Sequence, residues 1–176
     1  MITTKRFIAL LRGINVSGVK KIKMADLKLL LSTVFTDVST YIQTGNIIFT
    51  SSTHCEEELE QRIKELLFKE YGFDVPTYVC SEEKMHTVFE NIPFESDHTY
   101  VTFLSQTPKS EDIINLMEYQ KEPEKIVLDE DTLYIYLPNG AGRTKLTNNF
   151  IESKLKLSAT TRNYKTVQKL TQLTQG

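Results

Sequence analysis

The feature that most constrains the fold of this chain is a run of five consecutive apolar residues, Phe7-Ile8-Ala9-Leu10-Leu11, cut off by Arg12-Gly13. A strand with one face in water alternates apolar and polar residues; an unbroken run predicts a strand covered on both faces. The break puts a guanidinium at the end of a buried strand, beside a glycine. Asn15, Gly18, Lys20, Lys21 and Lys23 follow before apolar residues resume at helical spacing with Met24, Leu27, Leu30, Leu31 and Val34. A basic loop entering a helix presents free backbone N–H groups and the positive end of the helix dipole, so the stretch predicts a place that holds an anion.

Gly13 and Gly18 have the separation of a nucleotide-binding P-loop. That motif requires lysine and then a hydroxyl after the second glycine, and Val19-Lys20 stand there. The lysine comes one place late and nothing follows to hold magnesium, so nucleotide hydrolysis by that route is disfavoured.

Beyond the first helix, Ser39–Gln43 and Asn46–Thr50 read as strands hinged at Thr44-Gly45-Asn46. Thr53-His54-Cys55-Glu56 has capping-box spacing ahead of a helix with Leu59, Ile63, Leu66 and Leu67 on one face, which Gly72 can end. Glu56, Glu57 and Glu58 suit a solvated helix start. Val75–Cys80 is a further strand. The order βαββαβ is the ferredoxin-like unit. Ser81 then caps a linking helix with Met85, Val88 and Phe89, which must stop before Pro93.

The order repeats. Tyr100–Leu104 is a strand, and Thr107-Pro108 suit the start of a helix with Ile113, Leu116 and Met117. Ile126–Leu128 and Leu133–Leu137 flank the acidic turn Asp129-Glu130-Asp131. A helix with Leu146, Phe150, Ile151 and Leu155, an extended Ser158–Arg162 and a last helix with Tyr164, Val167 and Leu170 complete the chain. The expected fold is α+β, two tandem ferredoxin-like (alpha-beta plait) halves with additional helices, spanning 1–94 and 95–176. The repeat is one of order, not of residue identity.

Charge is distributed unevenly along this order. Residues 1–50 carry seven Lys/Arg against two Asp/Glu, and residues 141–176 seven against one; the stretch between them is acidic, for a net charge of −2. The basic ends either meet in one positive surface or neutralise the middle, and a uniformly basic nucleic-acid coat is excluded. No stretch approaches the ~18 apolar residues of a membrane span, and no signal peptide is expected, since Phe7–Leu11 is too short and ends in Arg12 rather than a small-residue cleavage site. Two cysteines, Cys55 and Cys80, form neither a disulfide framework nor a metal cluster, so a reduced, cytoplasmic protein is expected.

Three polar clusters fall at element ends: Arg12 to Lys23; Gln43-Thr44-Gly45-Asn46; and Gly142-Arg143-Thr144-Lys145 with Arg162-Asn163-Tyr164-Lys165. Each combines a cation with an amide, the donor types that suit phosphate or carboxylate oxygens. The bland reading makes them a hairpin turn and a capped helix start. Arg12, Lys20, Lys23, Arg143, Lys145, Arg162 and Lys165 are the candidate charges, with Asn15, Gln43, Asn46 and Asn163 as orienting amides, converging from both termini on one pocket. The expected partner is a phosphate-bearing small molecule or nucleic acid, with no membrane, metal or other cofactor. The sequence is silent on oligomeric state.

Catalytic signals are weak. His54, His86 and His98 lack metal-ligand spacing, Ser17 has no histidine in its segment, and no acidic pair sits inside the three clusters. An RNA-recognition domain shares the βαββαβ order, but its base-stacking aromatics reduce here to Phe7 and Phe49. An enzyme acting on a phosphorylated or acyl substrate, or a purely structural module, are the alternatives to binding.

Arg12-Gly13-Ile14-Asn15-Val16 with Lys23-Met24, followed by Tyr41-Ile42-Gln43-Thr44-Gly45-Asn46, resembles two signatures of a widespread, mainly bacterial family known as a conserved domain of unknown function. Gly142-Arg143-Thr144-Lys145-Leu146 is similar to its G-R-S-K-L, and Ala159-Thr160-Thr161-Arg162-Asn163-Tyr164 to its A-T-x-R-N-W. Ser17 departs from a usual glycine, Thr44 and Thr144 from serines, and Tyr164 from a tryptophan. The resemblance covers nearly the whole chain and implies a tandem ferredoxin-like architecture, with no activity to carry over.

Overall fold

The computed structural model describes residues 2–175. The chain divides into two compact units, Met1–His86 with Leu173–Gly176, and Thr87–Gln172. Each is built on a four-stranded antiparallel sheet, and among the described residues no helix is long and apolar enough to cross a membrane.

In the first unit, β1 (Lys5–Leu11) pairs antiparallel with β3 (Asn46–Ser51) on one side and β4 (Thr77–Ser81) on the other. With β2 (Thr36–Tyr41) the order is β2-β3-β1-β4, the ferredoxin-like arrangement. Phe7 to Leu11 are all buried, as an unbroken apolar run requires. Helices α1 (Met24–Leu31) and α2 (Glu56–Tyr71) send Leu27, Leu31, Leu59, Ile63 and Leu67 into a core with Phe7, Ala9, Leu11 and Phe49. Phe49 packs between Phe7, stacked at a ring-centroid distance of 5.8 Å, and Phe35, tilted at 4.4 Å. Those rings pack the core and are not an open base-stacking platform.

The second unit repeats the plan. β5 (Thr99–Leu104) is flanked by β7 (Thr132–Tyr136) and β8 (Ala159–Asn163), and β6 (Lys125–Asp129) gives the order β6-β7-β5-β8. The hairpin closes on a two-residue turn between Asp129 and Thr132, with Glu130 in the left-handed region at φ 54°. Helices α4 (Ser110–Met117) and α5 (Asn148–Leu155) bury Ile113, Leu116, Ile151 and Leu155 with Leu104, Leu133 and Ile135. Helix α3 (Glu82–Glu90) straddles the division, its start capped by Ser81, whose Oγ accepts from the Lys84 N–H at 3.1 Å. Helix α6 (Tyr164–Leu173) closes the chain.

Several boundaries differ from the sequence reading, each for a local reason. β2 starts at Thr36, not Ser39, because a bulge with Asp37 at φ 50° interrupts its alternation. It ends at Tyr41, not Gln43, because Ile42 turns into the left-handed region at φ 50°. β4 begins at Thr77 because Pro76 brings no N–H to the ladder. α4 starts at Ser110 with Lys109 as N-cap, two residues beyond Thr107-Pro108.

The capping box at Thr53 does not form. Cys55 is the N-cap of α2 and its side chain makes no capping bond. The carboxylates of α2 reach the neighbouring strand instead: Glu60 Oε1 accepts from the Val79 N–H at 3.0 Å and Glu56 Oε1 from the Ser81 N–H at 3.2 Å. Glu56 is therefore no idle solvated helix start; it and Glu60 satisfy the outer edge of β4. The second unit does the same to its edge strand β8, where Glu152 Oε2 accepts from the Ala159 N–H at 2.9 Å. A strand edge left bare would invite pairing with another chain. Burial raises the Glu60 pKa, opposed by the Val79 hydrogen bond and reinforced by Glu56 and Glu57.

Candidate functional site

The loop from Arg12 to Lys23 is tightly coiled. Gly13, Asn15, Ser17, Gly18 and Lys20 all lie in the left-handed region, with φ between 48° and 75°. Asn15 N–H donates to the Lys20 carbonyl at 3.1 Å and Val19 N–H to Val16 at 3.1 Å, closing a small tip. The Asn15 side chain holds the base of the loop. Its Oδ1 accepts from the Ile22 N–H at 2.8 Å, and Nδ2 donates to the Ile22 carbonyl at 2.9 Å and the Gln43 carbonyl at 2.8 Å. Both amide hydrogens are thus spent on pinning this loop to the one between β2 and β3. Asparagine is also among the few non-glycine types that tolerate a left-handed backbone.

The second loop is held from below. Asn46 is fully buried, and its Nδ2 donates to the Tyr41 carbonyl and the Thr44 hydroxyl, both at 2.9 Å. Gly45, at φ 92°, lies so close to Leu11 and Ile14 that an added Cβ would sit 2.7 Å from Leu11 Cβ. Lys20 is committed as well: its Nζ donates to the Asp74 carbonyl at 2.7 Å and lies 5.8 Å over the Phe73 ring.

Between these loops, the start of α1 and the end of α2 lies an open cleft of about 450 Å³, lined by Asn15, Gly18, Lys21, Ile22, Lys23, Asp26, Gln43 and Tyr71. Lys23 is the N-cap of α1, with extended backbone (φ −76°, ψ 134°) and no side-chain capping bond. Lysine cannot accept a hydrogen bond, so it leaves the first-turn N–H groups uncapped. The side chains of Lys21, Lys23, Asp26 and Gln43 make no hydrogen bond or ion pair among the described residues. Burial pushes the Tyr71 phenol above its ordinary pKa, and the charges of Asp26 and Glu70 push it further. Tyr71 therefore stays protonated at neutral pH, and its ring stacks on Phe73 at 6.0 Å.

Of the residues singled out in sequence, the cleft gathers Asn15, Lys23 and Gln43. Arg12 stands half-buried at the end of β1, its N–H donating to the Pro76 carbonyl at 3.0 Å. Arg143, Lys145, Arg162, Asn163 and Lys165 belong to the second unit. Arg143 and Lys145 are exposed at a 3-10 turn, Ala141–Arg143. Arg162 is buried; its Nη1 donates to the Thr161 carbonyl at 3.0 Å, and burial lowers its pKa to about 10, so it remains charged at neutral pH. Asn163 Oδ1 accepts from the Thr166 N–H at 2.9 Å at the start of α6, and Lys165 pairs with Asp97 at 3.4 Å.

Lys21, Asp26 and Tyr71 also line the cleft, although the sequence reading did not select them. Lys21 was visible in the lysine run. Nothing in sequence links Asp26 to Tyr71; packing of α1 against the end of α2 does. Elsewhere, His54 Nε2 lies 3.0 Å from the Thr3 carbonyl and His86 Nε2 2.8 Å from the Thr174 hydroxyl, both structural contacts.

No curated protein matches this chain. A conserved bacterial protein, SP0830 from Streptococcus pneumoniae, has a solved structure that superposes with a TM-score of 0.75 at 24% identity, covering 97% of this chain and 99% of that one. That likeness shows a shared fold. The model of the family described as a protein of unknown function, DUF1697, matches residues 4–134, and this chain belongs to that family.

Proposed function

We propose that the first unit binds a phosphate-bearing ligand, a nucleotide or a nucleic-acid segment, in the cleft between the 15–23 loop, Gln43 and Tyr71. The observation that supports it is the division of labour among the polar side chains. Asn15 and Lys20 are used up in shaping the loops, whereas Lys21, Lys23 and Gln43 face the cleft with their donors unspent. Two ammonium groups, the Nε2 of a neutral amide and the uncapped start of an eight-residue helix supply N–H donors, which is what phosphate oxygens need. Asn15, Asn46 and Gly45 act in this reading as the frame that fixes those donors.

The test is thermal melting with inorganic phosphate, ATP and a short oligonucleotide at several salt concentrations. An upward shift that shrinks steeply with salt is expected, as is its loss in the Lys21→Ala, Lys23→Ala double variant. No shift with any of the three would overturn the proposal.

One observation favours a second reading, an enzyme acting on a phosphorylated or acyl substrate. Asp26 brings to the cleft the carboxylate that the sequence clusters lacked, and the Tyr71 phenol lies near enough to feel its charge. Turnover of a phosphomonoester panel that disappears in Asp26→Ala would establish it; a silent panel would retire it.

A further inference from the structure

Resting on the anion-binding reading, we infer that the cleft takes a small phosphomonoester that also carries a hydroxyl or amino donor. Its phosphate faces Lys21 and Lys23 and its donor faces Asp26. Of the ligand classes proposed above, this lining favours the small molecule over a phosphate polymer. Asp26 is the single carboxylate lining the cleft beside Lys21 and Lys23, so the lining is only weakly cationic. A strand running through it would set one phosphate against Lys21 and Lys23 and the next against Asp26, with the charge of Glu70 also acting on Tyr71. Like charges held close are repulsive, and nucleic-acid surfaces avoid them.

A compact ligand with one anionic end and one donor end turns Asp26 from a liability into a contact. The carboxylate makes no hydrogen bond or ion pair among the described residues, so both its oxygens are open to accept. The Tyr71 hydroxyl, kept protonated, adds a group that can donate or accept on the same side. A volume of about 450 Å³ lies within the range of small-molecule sites.

The experiment compares glycerol 3-phosphate with n-propyl phosphate, which keeps the carbon chain and loses both hydroxyls. Calorimetry on the intact protein should give about tenfold tighter binding for glycerol 3-phosphate, the worth of one hydrogen bond to a charged acceptor. Asp26→Asn should bring the two ligands within about threefold of each other, since a neutral amide oxygen is a weaker acceptor. It should leave n-propyl phosphate binding as tight or tighter, because a repelling charge has gone. Circular dichroism of Asp26→Asn should match the parent, as the side chain is exposed.

Equal affinities for the two phosphates in the parent protein would overturn the inference and leave the anion site standing. So would equal tightening of both by Asp26→Asn, which would make Asp26 a repelling charge only. An oligonucleotide binding more tightly per phosphate than either ester would overturn it too. If neither ester nor inorganic phosphate binds, the anion-binding reading itself has failed.

Discussion

Replacing Lys23 with serine sets stability against binding at one position. Lys23 already has the extended backbone an N-cap needs but makes no side-chain cap. A serine there accepts from the first-turn N–H groups, and Asp26 three residues on completes the spacing of a capping box. A good cap in place of a non-capping residue is worth about 1 kcal/mol. Removing a cation from the positive end of the helix dipole adds a few tenths more, roughly offset by the lost attraction to Asp26. The net gain of about 1 kcal/mol should raise the melting temperature by roughly 2–4 °C in a chain of this length. The same change deletes one of the two ammonium groups lining the cleft. A lost charge-assisted hydrogen bond costs about 1.5–3 kcal/mol, or at least about tenfold in phosphate affinity. Melting curves of Lys23→Ser with and without inorganic phosphate read both effects, and Lys23→Met, which neither caps nor carries charge, should lose the affinity without gaining the stability. A serine variant that melts higher yet still responds to phosphate like the parent would refute the idea that a poor cap is kept here for an anion.

Asn15→Ala removes three side-chain hydrogen bonds and puts at φ 57° a residue that tolerates the left-handed backbone less well than asparagine, so urea unfolding should show a loss of about 3 kcal/mol; a loss under 1 kcal/mol would mean the two loops are not pinned by this amide. Gly45→Ala drives a methyl to within 2.7 Å of Leu11 Cβ and 2.9 Å of Ile14 Cδ1 and should cost about 3 kcal/mol or more, whereas Gly13→Ala, at φ 75° with nothing within 4 Å, should cost only about 1 kcal/mol of backbone strain. Glu60→Ala strands the Val79 N–H and should cost about 1–3 kcal/mol at neutral pH, while Glu60→Gln keeps an acceptor and should match or exceed the parent. The folded state raises the Glu60 pKa and so holds its proton more tightly, which makes the parent lose stability as pH rises through the raised value; Glu60→Gln should lack that slope in urea midpoints measured from about pH 4 to 8.

What could be seen in the sequence was whatever depends on neighbours along the chain. The apolar run at Phe7–Leu11 announced a central strand because burial on both faces leaves no room for a polar residue. Gly72 and Ser81 announced helix ends because a left-handed cap and a hydroxyl cap act within one turn. The bulge at Asp37 gave no such sign, since one extra residue in a strand changes no local composition. The Thr53 box had the right letters and failed. Glu56, its fourth member, bonds instead with Ser81, 25 residues away, a partner that no pattern of neighbours along the chain reveals.

The same competition decides what the polar clusters are for. An amide or an ammonium can bind a ligand or close a loop, and its identity does not say which; what matters is whether the fold has already used its hydrogens. Asn15 gives both of its own to carbonyls, Asn46 uses its Nδ2 inside a turn, and Lys20 reaches the Asp74 carbonyl. Substituting these should move the melting temperature first and any ligand affinity only through the deformed loop. Lys21, Lys23 and Gln43 carry no such duty, so their removal should leave folding near the parent level or improve it, as at Lys23. A residue that weakens the helix it starts and whose side chain makes no hydrogen bond or ion pair among the described residues is poorly placed as scaffold and well placed as a ligand contact. The side chains around the cleft therefore sort by which measurement they change, and a lysine whose loss lowered stability without touching phosphate binding would break that sorting at its most exposed point.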